Sequence, residues 1–181
     1  MHPRDDDSEG FEAFYAATAG RTFNAVRRMA AGDAHLAHDA TQEAYLAMLG
    51  CWPMRQRLPQ AENRKYLLGT AAHKVVDAYR QRGRCAELDD DAEVPIVDTG
   101  YEEILDELTI LSAVRALIDR QPARRRAVAV LFFLDDLDAH EIAVALSITE
   151  STVRTHIQRV RSILKPHLDQ LRRTDQGGDR P

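Results

Sequence analysis

Cysteine and long apolar runs are both scarce in this sequence of 181 residues, and each scarcity excludes a class of protein. Two cysteines, Cys51 and Cys85, are too few for a disulfide framework or a four-cysteine zinc site. They fit idle or buried thiols in a reducing cytoplasm. The longest apolar run, Ala127 to Leu134, has eight residues, against the roughly 20 that a membrane-spanning helix requires, so no membrane role is expected. The N-terminus carries Asp5, Asp6, Asp7 and Glu9 where a secretory signal would be basic and then apolar. No glycine-rich phosphate loop and no nucleophile elbow occurs. His35, His38, Asp39 and Glu43 cluster in sequence, but no second carboxylate–histidine set follows at the i, i+3 spacing of a di-metal bundle. The expectation is a chain that is not an enzyme, with no catalytic residue, no metal and no cofactor.

What is present is charge, unevenly distributed. The chain is 44% hydrophobic and 29% charged, with a formal net charge of -5. Residues 1–85 are net +2, residues 86–107 are net -10 with no Lys or Arg at all, and residues 108–181 are net +3. Two mildly basic bodies therefore flank an acidic tether. Like charges, Pro95 and Gly100 leave the first half of that tether little to pack, so it reads as a flexible linker. Its last residues begin a helix. Extended, some 20 residues span on the order of 70 Å, which leaves the flanking bodies free not to touch.

Within the bodies the apolar residues recur with helical spacing. Phe11, Phe14, Tyr15, Phe23, Val26 and Ala30 mark one helix, and Leu36, Ala40, Ala44, Ala47 and Met48 mark a second, with a break at Gly32 and Asp33. Trp52 to Pro59 reads as a loop because it holds two prolines and alternating basic residues. A third helix runs from about Asn63 to Arg82. After the tether, Ile104, Leu108, Leu111, Val114, Leu117 and Ile118 predict another, and Pro122 stands where a new helix can start. Nothing reads as a sheet, so the fold class is all-α.

The sharpest local pattern runs from Leu137 to Leu164 and predicts a helix-turn-helix. Ile142, Ala143 and Leu146 form the inner face of its first helix; Val153, Ile157, Val160 and Leu164 form the inner stripe of the second. Ser147, Ile148 and Thr149 turn the chain, Thr149 is placed to cap the second helix, and Glu150 suits its positive end. The turn places position 147 in the left-handed region, where serine costs roughly 1 kcal/mol relative to glycine. The outer face presents Ser151, Thr152, Arg154, Thr155, Gln158 and Arg161, types that bond base edges and phosphates. A basic excess continues from Arg154 to Arg173, with six Lys or Arg against one acid.

These residues carry a family resemblance. The segment 117–164 resembles domain 4 of bacterial sigma factors, and Asp39-Ala-Thr-Gln-Glu-Ala-Tyr-Leu resembles the Asp-x-x-Gln-Glu signature of sigma domain 2. The run from Tyr66 to Arg80 is similar to the family's promoter-melting helix, with Tyr66, His73 and Ser147 replacing the usual Trp, Asn and Gly. With two domains and a short link, the chain resembles the extracytoplasmic-function (ECF) group. The resemblance implies an all-α fold of two small helical domains, a sigma domain 2 bundle at 11–85 and a sigma domain 4 helix-turn-helix at 108–171. The acidic linker of 86–107 joins them, with disordered ends at 1–10 and 172–181.

The resemblance also implies three surfaces and their partners. Asp39, Gln42 and Glu43, at i, i+3 and i+4 on one helix face, would dock on the beta-prime clamp helices of core RNA polymerase. Arg55, Arg57, Asn63, Arg64, Lys65, Tyr66, His73, Lys74, Tyr79 and Arg80 would hold the melted -10 strand of promoter DNA, the cations tracking phosphates and the tyrosine rings facing bases. Arg82 and Arg84 add to that charge, and the loop from Arg55 to Asn63 would read a flipped base. Ser151, Thr152, Arg154, Thr155, Gln158, Arg159 and Arg161 would read the -35 duplex. The region from Leu131 to Leu134 packs chiefly in the core and would meet the beta flap, while the linker would mimic nucleic acid in the polymerase channel. An anti-sigma factor is a further candidate partner. The competing reading is a helix-turn-helix regulator that binds duplex DNA as a dimer, without a polymerase.

Overall fold

Turn residues and helix caps divide this chain into its elements. In a computed structural model of the protein, residues 5–82 and 107–177 are described, and they form seven helices. These are α1 (Asp5–Met29), α2 (Ala34–Arg55), α3 (Gln60–Arg82), α4 (Glu107–Asp119), α5 (Ala123–Phe133), α6 (Ala139–Leu146) and α7 (Glu150–Gly177). No strand occurs among the described residues. Most of the acidic tether, with Arg84 and Cys85, lies outside them, as does Ile104. α1 begins at Asp5, inside the stretch assigned to an N-terminal tail, and α7 continues to Gly177, inside the stretch assigned to a C-terminal one.

The caps explain the breaks. α1 ends with Ala31 at φ 50° and Gly32 at φ 84°, where the Gly32 amide donates to the Arg27 carbonyl and the Ala31 amide to that of Arg28, a left-handed C-terminal lock. Asp33 then starts α2 by accepting from the Leu36 amide at 2.9 Å. That bond, with help from Arg82, holds its carboxyl below the usual range. The loop expected from Trp52 is shorter than predicted: α2 runs through Pro53 to Arg55, because the buried Trp52 anchors its last turn and the Gln56 amide still reaches the Trp52 carbonyl at 2.8 Å. Pro122 directly precedes α5, as its position predicts.

α1, α2 and α3 pack on one another, and α4 to α7 form a second group. Ala47, counted among the inner residues of α2, is exposed; Leu36, Ala37, Ala40, Ala44, Tyr45, Met48 and Trp52 line its inner face instead. Tyr15 also stands exposed, although its ring meets that of Tyr45 edge-on at 4.7 Å. The eight-residue apolar run turns out to belong largely to α5, whose residues Arg125 to Leu131 are all buried. A helix covered on every side is a central helix, and α5 packs against α1 and α3 as well as α6 and α7.

The two bodies, which the tether leaves free to separate, are thus in contact. One apolar core runs from Phe14 through Leu67, Leu68, Ala71 and Val75 to Val128, Leu131, Ile142 and Ile157. The reason lies in α3: its buried residues, Asn63, Leu67, Leu68, Gly69, Ala71, Ala72 and Val75, cover well over half of the helix circumference. One side of that arc serves α1 and α2; the other serves α5 and α6.

The helix-turn-helix has the predicted turn. Ser147 adopts φ 53° and ψ 45°, its amide donates to Ala143 and Val144, and the Ile148 amide donates to Ala143 at 3.0 Å. Replacing Ser147 by glycine removes the left-handed penalty and is expected to stabilise the protein by about 1 kcal/mol, while valine there destabilises it; urea unfolding of both variants checks the sign.

Candidate nucleic-acid interface

The first surface is a stripe on α2. Asp39, Gln42 and Glu43 are exposed on one face, and Glu43 Oε2 lies 2.5 Å from Lys74 Nζ on α3. That contact raises the pKa of Lys74. Leu46 and Leu49 stand on the same stripe, 59% and 48% exposed, at i+7 and i+10 from Asp39. Sequence reasoning missed them, since it sought the buried stripe of α2 and passed over leucines lying off it. His35 and His38 are exposed beside them, and among the described residues no group of three or more His, Cys, Asp and Glu converges as a metal would require.

The second surface begins where α2 turns into α3. Asn63 is buried, and its Nδ2 donates to the Arg55 carbonyl at 3.1 Å and to that of Leu58 at 3.5 Å. Arg55 returns the bond, Nε donating to Asn63 Oδ1 at 3.2 Å and its other end to the Glu62 carbonyl at 3.1 Å. The same guanidinium lies 4.2 Å over the Tyr66 ring, a favourable cation–π distance. Asn63 is therefore the post that holds the loop, and Arg57 is exposed on it. Burial and a bond to Cys51 raise the pKa of the Tyr66 hydroxyl.

Along α3 the remaining cations have acidic company. Arg64 pairs with Asp135, and Lys65 Nζ reaches Glu141 Oε1 at 2.6 Å and Glu62 at 3.4 Å. The Glu141 contact is the largest reason that the pKa of Lys65 is raised. His73 Nδ1 is 3.1 Å from Asp77, and Arg80 is 3.9 Å from the same carboxylate. Arg82 meets Asp33 at 2.9 Å. Tyr79 is engaged internally: its hydroxyl donates to the Ala30 carbonyl at 3.0 Å and its ring carries the Arg126 guanidinium at 4.9 Å. Of the ten residues in this set, Asn63 and Tyr79 are the two bound most firmly into the fold.

The third surface is the outer face of α7. Thr149 Oγ1 accepts from the Thr152 amide at 3.2 Å, as its position predicts. At the start of α6, Asp138 and Glu141 form a reciprocal capping box. The two caps and the left-handed Ser147 set the two helices rigidly against each other. Ser151, Arg154, Thr155, Gln158 and Arg161 are exposed, while Thr152 and Arg159 are half-buried. Arg154 rests against Glu150 at 2.7 Å, and Arg161 lies 5.5 Å over the Phe132 ring. Val153, Ile157, Val160 and Leu164 are buried on the opposite face. Leu131 is buried and Leu134 is 51% exposed.

The architecture is that of an all-helical chain ending in a helix-turn-helix that presents a polar, cationic face. The family description "Sigma-70, region 4" matches residues 111–164, the stretch that contains this unit. The ECF RNA polymerase sigma factor SigD of Mycobacterium tuberculosis is 31% identical over 140 residues, covering 73% of this chain and 63% of that protein. SigE of Mycolicibacterium smegmatis, another protein of that description, is 28% identical over 153 residues, covering 83% and 58%. SigX of Bacillus subtilis, also so described, is 26% identical over 150 residues, covering 77% and 74%. The chain spans less than two thirds of the length of the first two. The chain is thus similar to ECF sigma factors over most of its own length, and its helix-turn-helix matches the sigma-70 region 4 description.

The loop geometry yields a stability test. Asn63→Ala strips two carbonyls and the Arg55 Nε–H of their partner, which is expected to cost about 2 kcal/mol; the urea midpoint measures it, and an unchanged midpoint would show that the loop does not depend on Asn63.

Proposed function

We propose that this protein is a transcription initiation factor that binds core RNA polymerase and directs it to promoters, reading the -35 element as duplex and the -10 element as a melted strand. The observation that carries this reading is the α7 face. Ser151, Arg154, Thr155 and Gln158 stand clear of the fold on a helix whose start is capped by Thr149, within the stretch matched by the sigma-70 region 4 description. An arginine can fork onto guanine and a glutamine onto adenine in a major groove. The α2 stripe of Asp39, Gln42 and Glu43 serves core docking, and exposed Leu46 and Leu49 add the apolar part of that footprint. α3 and its preceding loop supply the strand-binding cations. On this reading the chain works in the cytoplasm and performs no catalysis of its own. An overall charge of -5 fits a factor that reaches DNA through polymerase rather than by intrinsic affinity.

Run-off transcription with core polymerase and the purified chain tests the proposal: specific transcripts are expected with both components present and from neither alone. Specific dimeric binding to repeated duplex half-sites without polymerase would favour an independent regulator instead. Charge reversal at Asp39 and Glu43 is expected to abolish co-purification with core polymerase while leaving the thermal unfolding curve in place. Arg154→Ala is expected to keep core binding and to weaken promoter selection by roughly 1 to 3 kcal/mol, read as a shift in half-saturating promoter concentration; an unchanged preference would remove Arg154 from the reading face.

A further inference from the structure

The outer face of α7 is not a row of independent side chains. Glu150, the first residue of that helix, engages a partner with each carboxylate oxygen. Its Oε2 accepts from Arg154 at 2.7 Å, and its Oε1 lies 3.0 Å from Nδ1 of His140 on α6. A chain of three polar groups therefore runs from the first helix of the helix-turn-helix, through the acid, to the arginine on the reading face. All three are open to solvent, the side chains of His140 and Arg154 being 72% and 69% exposed and that of Glu150 38%. An acid four residues before an arginine is the favourable order on a helix, and helical side chains lean back towards the N-terminus. The Arg154 guanidinium is thereby drawn over the first turn of α7, the end from which a recognition helix contacts base edges.

Neither stability nor affinity accounts for this contact. An exposed pair within one helix adds little to stability, and a carboxylate on a DNA-facing surface repels phosphates. Glu150 is the single acid between Ser147 and Arg161, and its neighbours on the first turn are neutral: the Thr149 hydroxyl bonds those of Ser151 and Thr152, each at 2.8 Å. What the acid does supply is a fixed direction. A free arginine carries large rotamer entropy, and a side chain held in its bound pose loses less of it on binding. The contact occupies one terminal nitrogen, and the planar fork keeps further N–H groups for a base.

We propose that Glu150 is a positioning residue for promoter selection: steadied by His140, it aims the Arg154 guanidinium so that guanine is discriminated from the other bases, while its charge lowers overall affinity for DNA. The inference rests on the duplex-reading role proposed above for α7. Its signature is a split between affinity and selectivity, which a residue needed only for the fold does not produce.

Binding of the full chain to a set of -35 duplexes, each varied at one base pair, tests this with core polymerase present and, at low salt, with the chain alone. Arg154→Ala is expected to erase a guanine preference at one position, which marks the base that it reads. Glu150→Gln is expected to tighten binding to all duplexes by roughly two- to threefold and to reduce the guanine preference at that position by about tenfold. Glu150→Asp keeps the charge but shortens the reach, and should lose the preference without the gain in affinity. His140→Ala should lose part of the preference, and none further in a Glu150→Gln chain. In an Arg154→Ala background, Glu150→Gln should still tighten binding and leave base preference unchanged, the non-additivity of a residue that acts through another. A guanine preference that Arg154→Ala removes and both Glu150 variants keep would overturn this inference alone. So would an equal change in preference on Glu150→Gln with and without Arg154, which would mean that the acid touches a base itself. A wild-type chain with no preference at any position, in either condition, would overturn the duplex-reading role of α7 and this inference with it.

Discussion

A buried guanidinium on α5 ties the ends of α1 and α4 to the centre of the described fold. Arg126 is 4% exposed, and its Nε donates to the carbonyl of Met29, the last residue of α1, at 2.6 Å. One terminal nitrogen donates to Asp119, the last residue of α4, at 2.9 Å, and to Gln121 at 2.8 Å. The negative ends of two helices therefore share one cation. Burying a charge without a carboxylate is expensive, and desolvation lowers the Arg126 pKa from its ordinary value. What offsets that cost is the set of carbonyls that helix ends leave without intrahelical partners, together with the Tyr79 ring beneath the guanidinium. Nε and one terminal nitrogen are satisfied in this way, while the other terminal nitrogen is buried without a hydrogen-bond partner.

That arrangement gives α5 and α3 their double roles. α5 carries Arg126 into the centre and is covered from both sides. α3 contributes Leu67, Leu68, Ala71, Ala72 and Val75 to the core and still presents Lys74 and Arg80 on its outer side. Its small residues are as informative as its leucines. Gly69 and Ala145 let two helices meet at a distance no larger side chains allow, and the acidic residues around that contact face the cations of α3. A surface suited to phosphates is equally suited to carboxylates, and geometry alone selects which it meets.

Much of the candidate site was legible because it is local. Thr149, Ser147 and the apolar stripe of α7 announce a helix-turn-helix through bonds that span three to five residues, and the exposed face of α7 follows from its buried one. The α2 stripe was legible in its charged half, through the i, i+3, i+4 spacing of Asp39, Gln42 and Glu43. Its apolar half was not, since exposed Leu46 and Leu49 differ in no local way from core leucines. Asn63 and Tyr79 carried the right chemistry for a nucleic-acid ligand, but the Ala30 carbonyl that Tyr79 reaches is set by how the chain folds back, and the carbonyls that Asn63 holds are brought to it by the turn between α2 and α3. The continuation of α2 through Pro53 was illegible for the same reason: the anchor is the burial of Trp52, which a proline count does not contain.

Local pattern along the chain thus sufficed for the approximate helical runs, the Thr149 cap, the left-handed Ser147 and the division of charge into two basic bodies and an acidic link. These depend on interactions between residues close in the chain, which physics evaluates without knowing the fold. The folded arrangement was needed to show that the two bodies meet, that α5 rather than the chain's margins lies at the centre, and that Arg64 and Lys65 face Asp135 and Glu141. Periodicity says which side of a helix avoids water, but an apolar face carries no address. The pairing of faces is chosen by the fit of small residues and buried polar groups separated by 70 residues or more, as in Arg64 with Asp135.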